Sequence, residues 1–253
     1  MAENEISADA FVVAMRSTID TVVDSQFAAL RAAGAVVARA VGGGAVIHAF
    51  GAGHSEAAAM EIASRAGGLV PTNKIAMRDV VIFGGRPAEV LFDTTLERDP
   101  AIAREIYRLA APDPRDVFVL ASNSGVNAGV VELALLAKEH GHYVIAITSA
   151  QHSAASTPRH ASGKRLSEVA DVVLDNGAPL GDAVLPLDTG GAACGISSIT
   201  AALLAQALTA EIIRNIAGTG MVPPVYLSAN VPGGDEHNRD AEARYAGRIR
   251  RTA

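Results

Sequence analysis

Tryptophan is absent from this 253-residue chain, and aromatic side chains make up only 4% of it although 49% of the residues are apolar. A core without large rings must be filled by Ala, Val, Leu and Ile on closely packed helices and parallel strands, which points to an α/β class. Cysteine is nearly absent too. Cys194 stands alone, which excludes an intrachain disulfide and a CxxC pair, and its Gly-Gly-Ala-Ala-Cys-Gly setting suggests a small buried residue. Positive charge is not in excess: the formal net charge of −6 weighs against nucleic acid as a partner. One basic cluster, Arg244, Arg248, Arg250 and Arg251, reads as the solvated face of a C-terminal helix.

Uninterrupted membrane-length apolar runs are missing. The longest apolar stretch, 196–216, is broken by Ser197, Ser198, Gln206, Glu211 and Arg214. The first residues are acidic and polar, unlike a signal segment, so a cytoplasmic protein without a membrane partner is expected. Gly-Lys-Ser and Gly-Lys-Thr do not occur, which excludes a Walker loop, and Glu56 stands where a dinucleotide fingerprint starting at Gly51 needs its third glycine. His140 with His142, and His152 with His160, lack carboxylate or cysteine partners at ligand spacing. No metal and no cofactor are expected.

What the chain does contain is a pair of matching strand-to-helix turns. Residues 45–55 run a short apolar strand into Gly51-Ala52-Gly53-His54-Ser55, and residues 117–127 run another into Ser122-Asn123-Ser124-Gly125-Val126-Asn127. Each places backbone N–H groups and hydroxyls at the start of a helix, without a lysine or arginine, and so offers a cradle for a compact phosphate. A helical preamble (9–41, with Phe11, Met15, Ile19, Val22, Phe27 and Leu30 in phase) precedes the first strand, and helices are expected at 56–66, 100–109, 128–140, 197–216 and from Arg239. Further strands are expected at 143–148 and 172–175, with a fifth at 183–187; 80–83 is a short apolar run, and 149–165 a polar loop. Alternation at this spacing implies a doubly wound, mostly parallel five-stranded sheet in an αβα sandwich, both cradles lying at its carboxyl edge.

Gly51 to Ser55, Ser122 to Gly125 with Asn127, and Ile147-Thr148-Ser149 together resemble the successive strand ends of the sugar isomerase (SIS) domain family over about residues 12–216. The resemblance implies one flavodoxin-like SIS domain over 1–253, with Ser55, Ser122 and Ser124 as ligands of a sugar phosphate, Asn123 and Asn127 close by, and Gly51, Gly53 and Gly125 shaping the turns. It also implies a homodimer or homotetramer built through the first helix (9–41) and the 197–216 helix, around a core of 45–217. The tail, 223–253, with Tyr226 to Asn238, resembles that of a bacterial subgroup of single SIS-domain proteins. Its Asp235-Glu236-His237-Asn238 cluster suggests that His237 reaches an active site, in its own or a neighbouring subunit.

A phosphate-anchored aldose presents an acidic C2 proton, and removing it requires a base and an acid. Glu61, on the helix that follows Ser55, falls where related enzymes place a carboxylate, although the phosphoheptose isomerase spacing would put the acid at Arg65. An i,i+4 ion pair between Glu61 and Arg65 is the structural alternative. His54 beside the cradle and Glu97 in the middle segment complete the candidates. The expected function is a cofactor-free phosphosugar enzyme, leaning to elimination of water from C3 of N-acetylglucosamine 6-phosphate; aldose-ketose isomerisation and a non-catalytic phosphosugar sensor are the alternatives.

Overall fold

A computed structural model describes residues 6–250. The acidic N-terminal residues and Arg251, read above from sequence, lie outside the described residues. Helix α1 (Ala8–Gly42) is N-capped by Ser7, whose Oγ accepts the Ala10 N–H at 3.1 Å, and it stops at Gly43-Gly44. Its inner stripe of Val22, Leu30, Ala33, Val37 and Val41 is buried against the sheet and against α7 (Ser197–Ala217). Gly34 is what lets these two helices touch, since a Cβ there would lie 2.6 Å from Glu211 Cβ.

The main sheet has the order β2 (Thr72–Ile75), β1 (Ile47–Gly51), β3 (Val117–Ala121), β4 (Tyr143–Thr148), β5 (Val172–Asp175), all parallel. Alternate residues feed two cores, as the period of two along a strand requires. Ile47, Ala49, Val117, Val119, Ile145 and Ile147 pack against α1, α2 (Glu56–Ile62) and α7. Phe50, Phe118, Leu120, Val144 and Ala146 pack on the other face with α4 (Pro100–Ala110) and α5 (Ala128–Glu139). This is the doubly wound order in which the chain reverses direction across the sheet between β1 and β3.

Several expectations are corrected. The fifth strand is Thr72–Ile75, an edge strand whose Asn73 and Lys74 disguise it. Ala183–Pro186 is instead β6, which forms a separate antiparallel hairpin with β7 (Ala192–Gly195). The apolar run at 80–83 is the short helix α3 (Asp79–Ile82), and α6 (Ala150–Ala155) lies within the expected loop. Helix α2 ends at Ile62 because Ser64 turns to φ 62°, and α8 (Gly234–Ala243) begins five residues before Arg239. Cys194 is exposed on the hairpin at φ 63°, not buried. By length and composition α7 could cross a membrane, yet 44% of its apolar window is buried, against α1, α2 and the sheet.

Within the arginine cluster, Arg244 and Arg250 are exposed but Arg248 is turned inward. Arg248 Nη2 reaches the buried carboxylate of Asp116 at 2.5 Å, its Nη1 donates to Gly44 O at 3.0 Å, and Arg250 lies over the Phe83 ring 4.7 Å from its centroid. Asp116 also accepts from Val46 N and Asp113 N, each at 2.8 Å, and meets His48 Nε2 at 3.0 Å. Burial works to raise the pKa of Asp116, but His48 and these backbone donors outweigh it and hold the carboxyl below its ordinary value. Next to it His142 is buried between Asp116 O and Tyr107 Oη, and burial lowers its pKa.

Two predictions follow from this knot. Arg248→Met removes one partner of a buried carboxylate, and stability should fall by about 2 kcal/mol in urea unfolding, toward the low end for such losses because Arg248 is partly exposed. His142 takes up a proton more readily unfolded than folded, so its contribution is intact above about pH 6.5 and is lost as pH falls toward the lowered folded value. The urea midpoint should therefore drop on acidification below about pH 6.5, and less steeply in His142→Gln.

Candidate active site

The cavity opens at the carboxyl edge, where the turns after β1 and β3 flank the switch point of the sheet. After Gly51 the chain folds back so tightly that a Cβ on that residue would lie 2.1 Å from Ser55 O, and Gly53 takes φ 56°. That turn sends His54 and Ser55 outward and opens α2. After β3, Ser122 N donates to Ile147 O at 3.0 Å, and Gly125, at φ 64°, donates its N–H to Ser122 Oγ at 3.2 Å. The turns after β3 and β4 are zipped together by Ser149 N and Thr148 Oγ1, which both donate to Asn123 O.

His54, Ser55, Ser122 and Asn123 line a small cavity open to solvent, together with Asn176 beyond β5 and Ser197 and Ser198 in the first turn of α7. The side chain of Asn123 is a clamp: its Oδ1 accepts from Asn176 Nδ2 at 3.0 Å and its Nδ2 sits 3.2 Å from His152 Nδ1. The His54 ring and the Ser55 hydroxyl make no hydrogen bond to the described residues. The carboxylate next to the cradle, Glu56, is held by Arg78 and by Lys74 at 3.3 Å. Among the lining residues His54 alone titrates, and no carboxylate is present.

The other candidates are not brought into this cavity. Ser124 is half-buried outside the lining, and Asn127 bridges Glu97 Oε1 and Arg159 Nη1, each at 2.7 Å, on the far side of the turn. Glu97 is thereby tied to α5, where Gly129 is needed because its Cβ would lie 2.6 Å from Glu97 O. Glu61 pairs with Arg65, the structural alternative weighed for it, and accepts from Gln206 Nε2 at 2.8 Å along the seam between α2 and α7. His237 binds Val225 O at 2.9 Å, within a tail bridged antiparallel to the segment before β2 (Leu69 to Val225), at the opposite edge of the sheet. Asn176, Ser197 and Ser198 were not foreseen. Ser197-Ser198 were visible only as interruptions of an apolar helix, and Asn176 as part of an Asp-Asn-Gly turn. Among the described residues no group of three or more His, Cys, Asp and Glu comes together as a metal cage.

The model for the SIS domain matches residues 10–149. The chain belongs to the SIS domain family. A UPF0309 protein of Listeria innocua serovar 6a is 38% identical over 234 residues, 91% of this chain and 92% of its own, and one of Halalkalibacterium halodurans is 40% identical over 204 residues, 80% and 83%. In three dimensions the chain is similar to a phosphoheptose isomerase from Neisseria gonorrhoeae, with a TM-score of 0.55 over 82% of this chain and 96% of that one at 19% identity, which shows a shared fold.

Gly125 carries a double demand, of space and of backbone conformation. Alanine there must hold φ 64° with its Cβ 2.9 Å from Thr148 Oγ1. Gly125→Ala should cost about 2 kcal/mol in thermal unfolding and weaken binding of inorganic phosphate, measured by calorimetry, because the N–H that orients Ser122 moves.

Proposed function

We propose that this SIS-family protein binds a sugar monophosphate in the cavity at the switch point and transfers the proton at C2 of its open-chain form, without a cofactor. The supporting observation is the lining itself: Ser55, Ser122, Asn123 and Asn176 converge with small, neutral hydrogen-bonding groups on one space, and His54 is the titratable group beside it. A phosphate monoester held by hydroxyls and amides brings a sugar carbon within reach of an imidazole, a group that can both take up and return a proton. His54 is therefore proposed as the acid-base group, in place of Glu61, whose carboxylate is engaged by Arg65 and Gln206. Of the two fates of the resulting enolate we favour loss of the C3 substituent, as in a dehydratase acting on N-acetylglucosamine 6-phosphate. The support is the missing phosphoheptose isomerase spacing: Arg65 stands where those enzymes carry the acid. Self-association belongs to the same reading, supported by the apolar side chains Val13, Phe27 and Ile199 left exposed on α1 and α7.

The lack of a carboxylate in the lining favours a second reading, in which the cavity binds a phosphosugar and transmits its presence without turning it over. Proton NMR in D2O with glucose, glucosamine and N-acetylglucosamine 6-phosphates separates the two. Catalysis predicts loss of the C2 proton signal, with a vinylic signal for elimination or a ketose pattern for isomerisation. His54→Gln should keep ligand affinity within about threefold and abolish exchange, and Ser55→Ala with Ser122→Ala should weaken binding about tenfold or more. Ligand binding with every substrate unchanged would overturn the catalytic reading and leave the sensor.

A further inference from the structure

The hydrogen bonds behind the cavity walls give its hydroxyls opposite polarities. On the wall formed after β3, Ser122 Oγ receives the Gly125 N–H at 3.2 Å, so its own O–H is available to donate outward. On the facing wall, Asp182 sits beneath the first turn of α7. Its Oδ1 accepts from Ser197 N at 2.7 Å and Ile196 N at 3.1 Å, and its Oδ2 accepts from Ser197 Oγ at 2.8 Å. A carboxylate accepts only, so Ser197 must spend its proton on Asp182, and the oxygen it turns to the cavity offers lone pairs alone.

The local structure is shaped for this contact. Asp182 holds φ 72°, and a Cβ on Gly195 of the paired strand β7 would stand 2.9 Å from Asp182 Oδ2, so glycine there leaves the carboxylate its place. The β6–β7 hairpin, which lies outside the main sheet, thus delivers a carboxylate to the amino end of α7 and fills the position an anionic ligand would otherwise take there.

We infer that the cavity is polarised: it takes a phosphate on the Ser55 and Ser122 wall and a neutral hydrogen-bond donor, a hydroxyl or amide N–H of the sugar, on the Ser197 wall. Asp182 is the positioning residue that sets this direction and rejects ligands carrying an anionic group at both ends. The inference rests on the sugar-phosphate reading above and adds the class of sugar to it. A ligand atom touching Ser197 Oγ lies close enough to the Asp182 carboxylate for a second negative charge to be strongly disfavoured in a partly enclosed site.

The test is calorimetric titration of the full chain with three probes: inorganic phosphate, glucose 6-phosphate, and 6-phosphogluconate, which keeps the phosphate and places a carboxylate at the other end. The expected result is a preference of about tenfold or more for glucose 6-phosphate over 6-phosphogluconate. Asp182→Asn keeps an oxygen for the two backbone N–H groups but presents an amide donor to Ser197 Oγ, reversing that hydroxyl. It should reduce the preference at least about threefold and leave phosphate affinity unchanged. Ser197→Ala keeps the carboxylate and removes the acceptor, so glucose 6-phosphate should bind more weakly while phosphate does not. Equal affinity of the wild-type chain for both sugars would overturn the polarity, as would an unchanged ratio in a folded Asp182→Asn variant. If that variant does not fold, undiminished glucose 6-phosphate binding by Ser197→Ala overturns it. Absence of binding by all three probes, or binding indifferent to Ser55→Ala and Ser122→Ala, would instead remove the sugar-phosphate reading itself, and the polarity with it.

Discussion

The buried carboxylate of Asp116 is the contact on which the sheet depends. It stands just before β3, and its two oxygens collect the amide of Val46 ahead of β1, the amide of Asp113, the imidazole of His48 within β1 and the guanidinium of Arg248 from the tail. A side chain with almost no solvent access is stable as an anion only because so many donors converge on it. Their convergence fixes the relative height of the two central strands, and hence where both strands end. The Ser55 and Ser122 turns face each other across the switch point because the opposite ends of β1 and β3 are held in register by one ion.

The two edges of the sheet therefore divide the labour by chemistry. The amino edge is closed by an ion pair, a buried histidine and the C-terminal tail, and Asn73 on the edge strand clips that tail by receiving Arg250 N at 2.7 Å and donating to Arg248 O at 2.8 Å. The carboxyl edge is left open, lined mainly by hydroxyls and amides. The carboxylates around it are already bound: Glu56 by two cations, Asp175 by the amides of Ala150 and Gly177, and Asp182 by the amides of Ile196 and Ser197 and the Ser197 hydroxyl. In an acidic protein such an opening presents an anion with hydrogen-bonding groups rather than with unpaired negative charge, so recognition there would depend on the direction of hydrogen bonds more than on attraction at a distance.

Much of this was legible in the chain. The inner strands β3, β4 and, apart from His48, β1 read as apolar runs because both faces of an inner parallel strand are covered, and Ser55, His54, Ser122 and Asn123 follow such runs closely. Thr72–Ile75 was not, since an edge strand spends Asn73 on the tail and Lys74 on Glu56. The α7 side of the cavity was hidden for a different reason: Ser197 and Ser198 lie more than seventy residues after Ser122, and only the packing of α7 on α1, α2 and β4 brings them there. Glu61 shows the limit of reading proximity along a helix. Six residues carry it about 9 Å from Ser55 and about 120° round the axis, which turns it toward Gln206 and away from the cavity.

The tail illustrates why a cluster of titratable residues is a weak indicator of chemistry. Asn238, in the middle of the Asp-Glu-His-Asn run, accepts from Leu227 N and donates to Leu227 O, each at 2.9 Å, and so completes a strand-like pair with a segment that has no strand partner there. His237 caps Val225 O in the same way. Asn123 performs the corresponding service at the other edge, where its backbone and side chain join three turns. A chain with few aromatic residues cannot fix its loops by wedging large rings between them, and in this fold short amides that satisfy both of their groups do that work instead. The same residue type therefore closes one edge of the sheet and shapes the cavity at the other. What separates the two roles is the partner each amide meets: Asn73 and Asn238 bind backbone groups of the tail, whereas Asn123 and Asn176 bind each other through their side chains in the cavity wall.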